Sequence, residues 1–229
     1  MDSGSRKSRD RPRPGGSPVP AARDAASLII LCTDRQQVYV LMGRRPAAAR
    51  FMPGAYVFPG GQVGHVDKNG AGAKPRQRRA DHSIRLILAR TALRETYEET
   101  GLLLGHPCAH DRHTQGVSPI ESVYVARGLR PAIDAFTYIG RAITPRESPI
   151  RFNTRFFVVD GRLAYGELTS NGELDELAWR TAEECESLPM PRVTRFMLDR
   201  AIEYRAGKKS SPVLYYYVEG IPRIRREVI

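Results

Sequence analysis

Apolar and polar positions along this chain fall into short blocks, and the spacing within the blocks changes between strand-like and helix-like. Residues 27–33 and 38–43 are strand-sized apolar runs separated by Asp34-Arg35-Gln36-Gln37, which predicts a hairpin with a four-residue turn. Residues 55–58 predict another short strand, and Pro59-Gly60-Gly61 is expected to break any regular element there. Residues 67–81 are polar, basic and glycine-containing and predict an exposed loop. Residues 82–100 predict a helix, with Asp81 as its N-cap and Gly101 ending it. Strands are predicted over 123–126, 135–141, 154–159, 176–180 (with the single tryptophan, Trp179) and 213–218, and helices over 181–186 and 192–205. No internal repeat is evident. Strands interleaved with two or three helices make a mixed α/β domain the expectation.

Composition narrows this reading. Apolar residues are 41% and charged residues 27% of the 229, as in a water-soluble globular chain, and no run approaches the ~18 apolar residues of a membrane helix. The net charge of +11 favours an anionic partner, whether nucleic acid, lipid or a phosphorylated small molecule. Part of the excess is local: residues 1–23 hold six Lys/Arg against two Asp. Residues 1–22, with Arg11-Pro12-Arg13-Pro14-Gly15-Gly16, have little to bury and predict a disordered basic tail. No apolar signal core follows, and Cys32, Cys108 and Cys185 are widely spaced and odd in number, so the expectation is a reducing cytoplasm rather than secretion.

The chemistry concentrates in Arg94-Glu95-Thr96-Tyr97-Glu98-Glu99-Thr100-Gly101-Leu102. At about 100° per residue, Glu95, Glu98 and Glu99 fall within roughly a quarter of the helix circumference, and Leu86, Ala89, Leu93 and Tyr97 fall opposite. Crowded carboxylates repel, and glutamates near a helix C-terminus also oppose its dipole. A hard divalent cation resolves both conflicts and can bind substrate phosphates at the same time. The bland alternative is a solvated acidic helix end. Ile84 and Leu88 project from the glutamate face, so the inserted loop or a second subunit of a homodimer is expected to cover them.

This stretch resembles the second half of the Nudix box, G-x5-E-x7-R-E-U-x-E-E-x-G-U with U apolar. Thr96 stands at the first U. Gly61 to Asp67 supplies G-x5-D, with Asp67 where the family has Glu, and residues 68–93 replace the seven-residue spacer, an insertion of about 19. Phe58-Pro59-Gly60-Gly61 upstream is similar to the family as well. The resemblance implies an α/β fold of the Nudix type, an α/β/α sandwich with a mixed β-sheet, covering about residues 25–205. An insertion at 68–90 and a C-terminal extension at 206–229, with one strand packed on the domain, complete the expected organisation. It implies hydrolysis of a diphosphate linkage with Mg2+ or Mn2+ held by Glu95, Glu98, Glu99 and the Gly61 carbonyl. Glu98 is then one choice of base, Glu147 and Glu121 are alternatives outside the box, and Arg94 orients a box glutamate.

A second pattern, Leu41-Met42-Gly43-Arg44-Arg45-Pro46 followed by Arg50, Gly54 and Phe58-Pro59-Gly60-Gly61, resembles the coenzyme A pyrophosphatase branch, with Gly43 for Thr and Pro46 for Ser. It implies coenzyme A or an acyl-CoA as substrate, bound by Arg45, Arg50, Gly60 and Gly61. ADP-ribose, NAD(H) and dinucleoside polyphosphates remain alternatives, as does a retired fold that binds RNA or nucleotide. The intact glutamate triplet argues against the last of these. Arginine suits phosphate because its planar fork donates two parallel hydrogen bonds. His106, Cys108, His110 and His113 lack the paired spacing of a zinc site and are expected in a loop.

Overall fold

The computed structural model describes residues 19–69, 80–108, 118–208 and 210–227. Strand β1 (Arg23–Asp34) is the centre of the molecule: Ala25 to Leu31 are buried without interruption. A strand covered on both faces needs apolar residues at every position rather than at alternate ones. It pairs in parallel with β8 (Phe152–Asp160) and antiparallel with β2 (Gln37–Arg44). The sheet continues from β2 to β10 (Asp175–Thr181) on one side. On the other it runs from β8 through β7 (Thr137–Ile143) and β11 (Val213–Val218) to β12 (Ile221–Arg226). Two short strands, β3 (Tyr56–Val57) and β4 (Gly60–Gln62), pair with β2 and β1.

Helix α5 (Arg192–Arg205) covers one face of this sheet over Ile29, Leu31, Met42, Phe156 and Val158. Helix α2 (Ala80–Thr100) covers the other over Ala26, Leu28, Ile30, Phe157 and Val159. A small sheet of β5 (Leu103–Pro107), β6 (Leu129–Pro131) and β9 (Ala164–Tyr165), with α3 (Pro119–Ala126) beside it, packs into the same core as α2. The short helices α1 (His65–Asn69) and α4 (Ala182–Glu186) and two 3-10 turns, Ile133–Ala135 and Gly161–Leu163, complete the described elements. The layering is an α/β/α sandwich around a mixed sheet.

Several expectations are corrected. The first hairpin closes on two residues: Asp34 pairs with Gln37, and Arg35 and Gln36 take φ of 44° and 70°. Such a turn matches the right-handed twist of the flanking strands. Gly60-Gly61 does not break the structure but forms β4, because a glycine there lets the backbone press on β1; a Cβ on Gly60 would stand 2.4 Å from the Ala26 carbonyl. Residues 65–69 are helical rather than loop, and the helix expected at 82 starts at Ala80, so Asp81 is not its cap. Residues 123–126 are helix, not strand. Ser118 caps α3 in a box with Glu121, and Pro119 occupies its first turn, a start signal that outweighs the β-branched Val123 and Val125. His106 sits on a strand, β5, opposite Arg130, rather than in a loop; His110 and His113 lie outside the described residues, as do residues 1–18 of the predicted tail and 70–79 of the insertion.

The cover over Ile84 and Leu88 is also different. Leu88 is buried in the domain's own core, and Ile84 packs against the same cluster. Helix α2 shares one core with residues of the large sheet and of β5 and β6, and its buried arc is wide: it includes Ala89 and Leu93 as expected but also Leu88, Ala92, Thr96 and Glu99.

Candidate functional site

Two segments meet at the site, the last two turns of α2 and the β3–β4 corner. Gly101, with φ of 74°, ends α2 through a bond from its N–H to the Tyr97 carbonyl at 2.8 Å. Strand β4 brings backbone to the glutamates. The Gly60 N–H donates to Glu99 Oε2 at 2.8 Å, and a Cβ on Gly61 would lie 2.4 Å from the Glu95 carboxyl carbon. Gly60 is thus required by close approach to β1, whereas a side chain at Gly61 would displace the Glu95 carboxylate.

Burial separates the three glutamates. Glu99 is 3% exposed, and among the described residues its one hydrogen bond is that from Gly60. Burial pushes its carboxyl up to about 8, against the pull of the Gly60 N–H and with added repulsion from Glu95 and Glu173. Glu95 is raised as well, first by burial, although Arg94 Nη2 pairs with it at 2.8 Å. Glu98 is exposed and turned aside, bound at 2.7 Å by Arg94 Nη1. Glu95 and Glu99 therefore face one cavity, and Glu98 borders other surfaces. Among the described residues, no three His, Cys, Asp or Glu side chains already converge as a metal cage.

Arg94 is the hub beneath the carboxylates. Asp67, itself buried, receives Arg94 Nε at 2.9 Å and Nη2 at 3.0 Å, and also accepts from Thr91 Oγ1 and the Gly64 N–H. Burial works against the Arg94 charge, but Asp67, Glu95 and Glu98 more than offset it and raise its pKa. Asp67 thus locks Arg94, and Arg94 holds Glu95 and Glu98. The shorter Asp in place of the family's Glu reaches its partners because α1 carries it against α2.

The cavity has a volume of about 360 Å3. Arg45 lines it, its Nε fixed by the Phe51 carbonyl at 2.7 Å, and its charge counteracts the rise at Glu99. Gly60 and Gly61 line it too. Arg50 is exposed and lies off the cavity wall, as does Glu147. Arg44 is committed elsewhere, to Glu176 at 2.8 Å. Glu121 is occupied in the α3 cap on the Arg94 side of the helix. Sequence reasoning missed Glu173, Phe51, Phe152 and Tyr217 on the cavity wall. They come from four distant segments, and no spacing links them.

The described residues include no helix long and apolar enough to cross a membrane. No family profile matches the chain. A curated relative, "Putative nudix hydrolase 7" of Caenorhabditis elegans, is 30% identical over 190 residues, which span 75% of this chain and 58% of the relative. The chain therefore spans less than three-fifths of that relative's length. Among solved structures, a NUDIX hydrolase from Alicyclobacillus acidocaldarius is similar, with 28% identity, a TM-score of 0.60 and coverage of 83% of this chain and 97% of that one. The NUDIX domain of Shewanella oneidensis NrtR, solved complexed with ADP ribose, shares the fold at 13% identity and a TM-score of 0.50, covering 81% and 90%. In sequence and in fold the chain is thus similar to Nudix hydrolases.

Proposed function

We propose that this chain is a hydrolase of a phosphoanhydride bond that works with a divalent cation, Mg2+ or Mn2+, and that coenzyme A or an acyl-CoA is its substrate. The observation that carries the first part is the pair Glu95 and Glu99. Two carboxylates are sunk beside each other on a cavity wall, and among the described residues the deeper one has a single backbone N–H for a partner. Leaving a buried carboxylate without a counter-charge costs several kcal/mol unless it is protonated or a cation arrives. The donor set is all oxygen, which suits Mg2+ or Mn2+. Glu95 and Glu99 would hold the ion. The Gly61 carbonyl and Glu98 are the further donors, the latter after release from Arg94.

A bound cation would neutralise phosphate charge and acidify water. The chain's own residues do the rest. Arg45 receives a phosphate at the cavity wall as a bidentate donor, while its Nε is fixed by Phe51. Arg94 keeps Glu95 and Glu98 in place, and Asp67 keeps Arg94 in place. Glu173, on the cavity wall with Glu95 and Glu99, can accept a proton from water and is better placed for it than Glu121 or Glu147. The apolar residues on the cavity wall, Phe51, Phe58 and Phe152 among them, lower the local dielectric, which strengthens each of these charge interactions.

The substrate assignment rests on the arginine pattern that runs from Leu41 into the Phe58-Pro59-Gly60-Gly61 corner, and on Arg45 being at the site. The test is a panel of coenzyme A, acyl-CoA, ADP-ribose, NADH and dinucleoside polyphosphates with Mg2+ and with Mn2+, read by mass spectrometry of the products. Cleavage of the coenzyme A phosphoanhydride is the expected result. Faster turnover of another member reassigns the substrate, and no cleavage of any member overturns the hydrolase reading.

A further inference from the structure

Helix α5 starts without a side-chain cap. Its N-cap position is Pro191, which has no side-chain acceptor to offer the first turn. The Arg195 N–H donates to the Pro191 carbonyl at 3.1 Å. Among the described residues, no acceptor meets the N–H groups of Arg192, Val193 and Thr194 that precede it. The aligned peptides of this 14-residue helix place roughly half a positive charge at that end, and open first-turn N–H groups suit an oxyanion.

A helix start alone defines no site, because water can serve its N–H groups. Thr194 is the second observation. It is 5% exposed, its hydroxyl has no hydrogen-bond partner among the described residues, and it lines the cavity with Val193. A buried hydroxyl left without a partner is costly, so its place on a cavity wall points to a partner that arrives with the ligand. Hydroxyl and open N–H groups together are rich in donors, and the group they suit is an acceptor carrying negative charge. Arg45 on the same wall and the exposed Arg192 in the same turn add positive charge. The acids on the wall, Glu95, Glu99 and Glu173, oppose it, so the site is expected to work with the cation in place. Helices α5 and α2 cover opposite faces of the large sheet, and the cavity takes its lining from both cores: Phe58, Ala142 and Phe156 from the α5 side and Ala26 from the α2 side. A group held at the first turn of α5 therefore differs from the one held at Glu95 and Glu99 of α2.

We propose that the first turn of α5, through the Thr194 hydroxyl and the N–H groups of Val193 and Thr194, binds a second phosphate of the substrate, a phosphomonoester separate from the phosphoanhydride. Coenzyme A carries such a group, and ADP-ribose and NADH do not. The inference rests on the proposed hydrolase reading for the phosphoanhydride at the carboxylates, but its test needs no turnover. Adenosine 3′,5′-bisphosphate and adenosine 5′-monophosphate differ by one phosphate, and neither has an anhydride to cleave. Calorimetric titration of the full chain with each, in Mg2+, should show the bisphosphate bound at least about tenfold more tightly, the worth of one set of charge-assisted hydrogen bonds. In the 15N-labelled chain, the Val193 and Thr194 amide resonances should shift at saturating bisphosphate and stay near their free positions with the monophosphate.

Thr194→Val keeps the shape, removes the hydroxyl and should cut the bisphosphate preference at least about threefold, whereas Thr194→Ser should retain it. Thermal unfolding of each variant checks that it folds, and the wild-type titrations and amide shifts stand without the variants. Equal or unmeasurable binding of the two nucleotides overturns the proposal even if the chain hydrolyses diphosphates. A bisphosphate preference without shifts at Val193 and Thr194 also overturns it, since diffuse attraction to a basic chain then accounts for the gain. Bisphosphate preference with those shifts, in a chain that hydrolyses nothing, supports this site and overturns only the hydrolase reading.

Discussion

Glu99 allows the cation argument to be tested through stability alone. Its carboxyl is pushed up to about 8 by burial, whereas an unfolded glutamate titrates near ~4.3. Between those values the native protein holds a proton that the unfolded chain has released. Stability in cation-free buffer therefore falls as pH rises, by up to about 1.4 kcal/mol per pH unit, and levels off above about 8. Over the whole window the upper limit is about 5 kcal/mol. Glu95, raised in the same direction, adds to the slope. Glu99→Gln keeps the shape and an acceptor for the Gly60 N–H but carries no charge at any pH. In EDTA it should lie within ~1 kcal/mol of wild type at about pH 5 and exceed it by several kcal/mol at about pH 8.5. Urea unfolding across that range measures both. Saturating Mg2+ or Mn2+ should then restore the wild type at the alkaline end, by about 2.7 kcal/mol at a hundredfold excess over Kd, and move Glu99→Gln far less. A wild type equally stable across the range in EDTA, or a glutamine variant weaker than wild type at about pH 8.5, would falsify the reasoning.

The other predictions concern the supports of the site. Asp67→Ala takes one of three carboxylate partners from Arg94 and leaves the Gly64 N–H without this acceptor, and should cost about 1–3 kcal/mol in urea unfolding, whereas Asp67→Asn, which keeps an acceptor for Arg94, should cost less. Gly61→Ala should barely change the unfolding midpoint, because the atoms it meets belong to a flexible side-chain end, yet it should weaken Mn2+ binding at least about tenfold by displacing the Glu95 carboxylate. Unchanged Mn2+ affinity in that variant contradicts the assigned role of Glu95. Arg45→Ala should raise KM about tenfold with little change in kcat, and Arg50→Ala, off the cavity wall, should change KM less than about threefold; steady-state kinetics on the preferred substrate reports both.

Much of the architecture was legible because it rests on local signals. The apolar runs of β1, β2, β8 and β11 are long enough to read directly, and α5 appears at its predicted bounds because its polar and apolar faces are distinct. Helix α3 was misread although its start signal was present. Ser118, Pro119 and Glu121 state the cap in four residues, but the alternating valines drew the reading toward a strand. Strand β5 was missed because it follows Gly101 at once and is only five residues long.

The site divides in the same way. Glu95, Glu98 and Glu99 are close in sequence, so their shared flank could be worked out from helical period. Which of them faces the cavity could not, because that depends on β4 pressing on the helix and on the reach of Arg94. The opposite-face stripe holds at Ala89, Leu93 and Tyr97 but understates the buried arc, because α2 shares its core with residues of both sheets, and Leu88 and Glu99 share one flank. Residues such as Glu173 and Tyr217 reach the wall only through tertiary folding and carry no pattern of their own.

Titration of the chain with Mn2+, followed by electron paramagnetic resonance at about pH 7.5 alongside turnover on the preferred diphosphate, tests the centre of the account. Wild type should take up Mn2+ and cleave the substrate, while Glu95→Gln and Glu99→Gln should lose at least about tenfold in Mn2+ affinity and about a hundredfold in turnover. Full Mn2+ uptake and undiminished cleavage in both variants would show that these two carboxylates do not hold the ion.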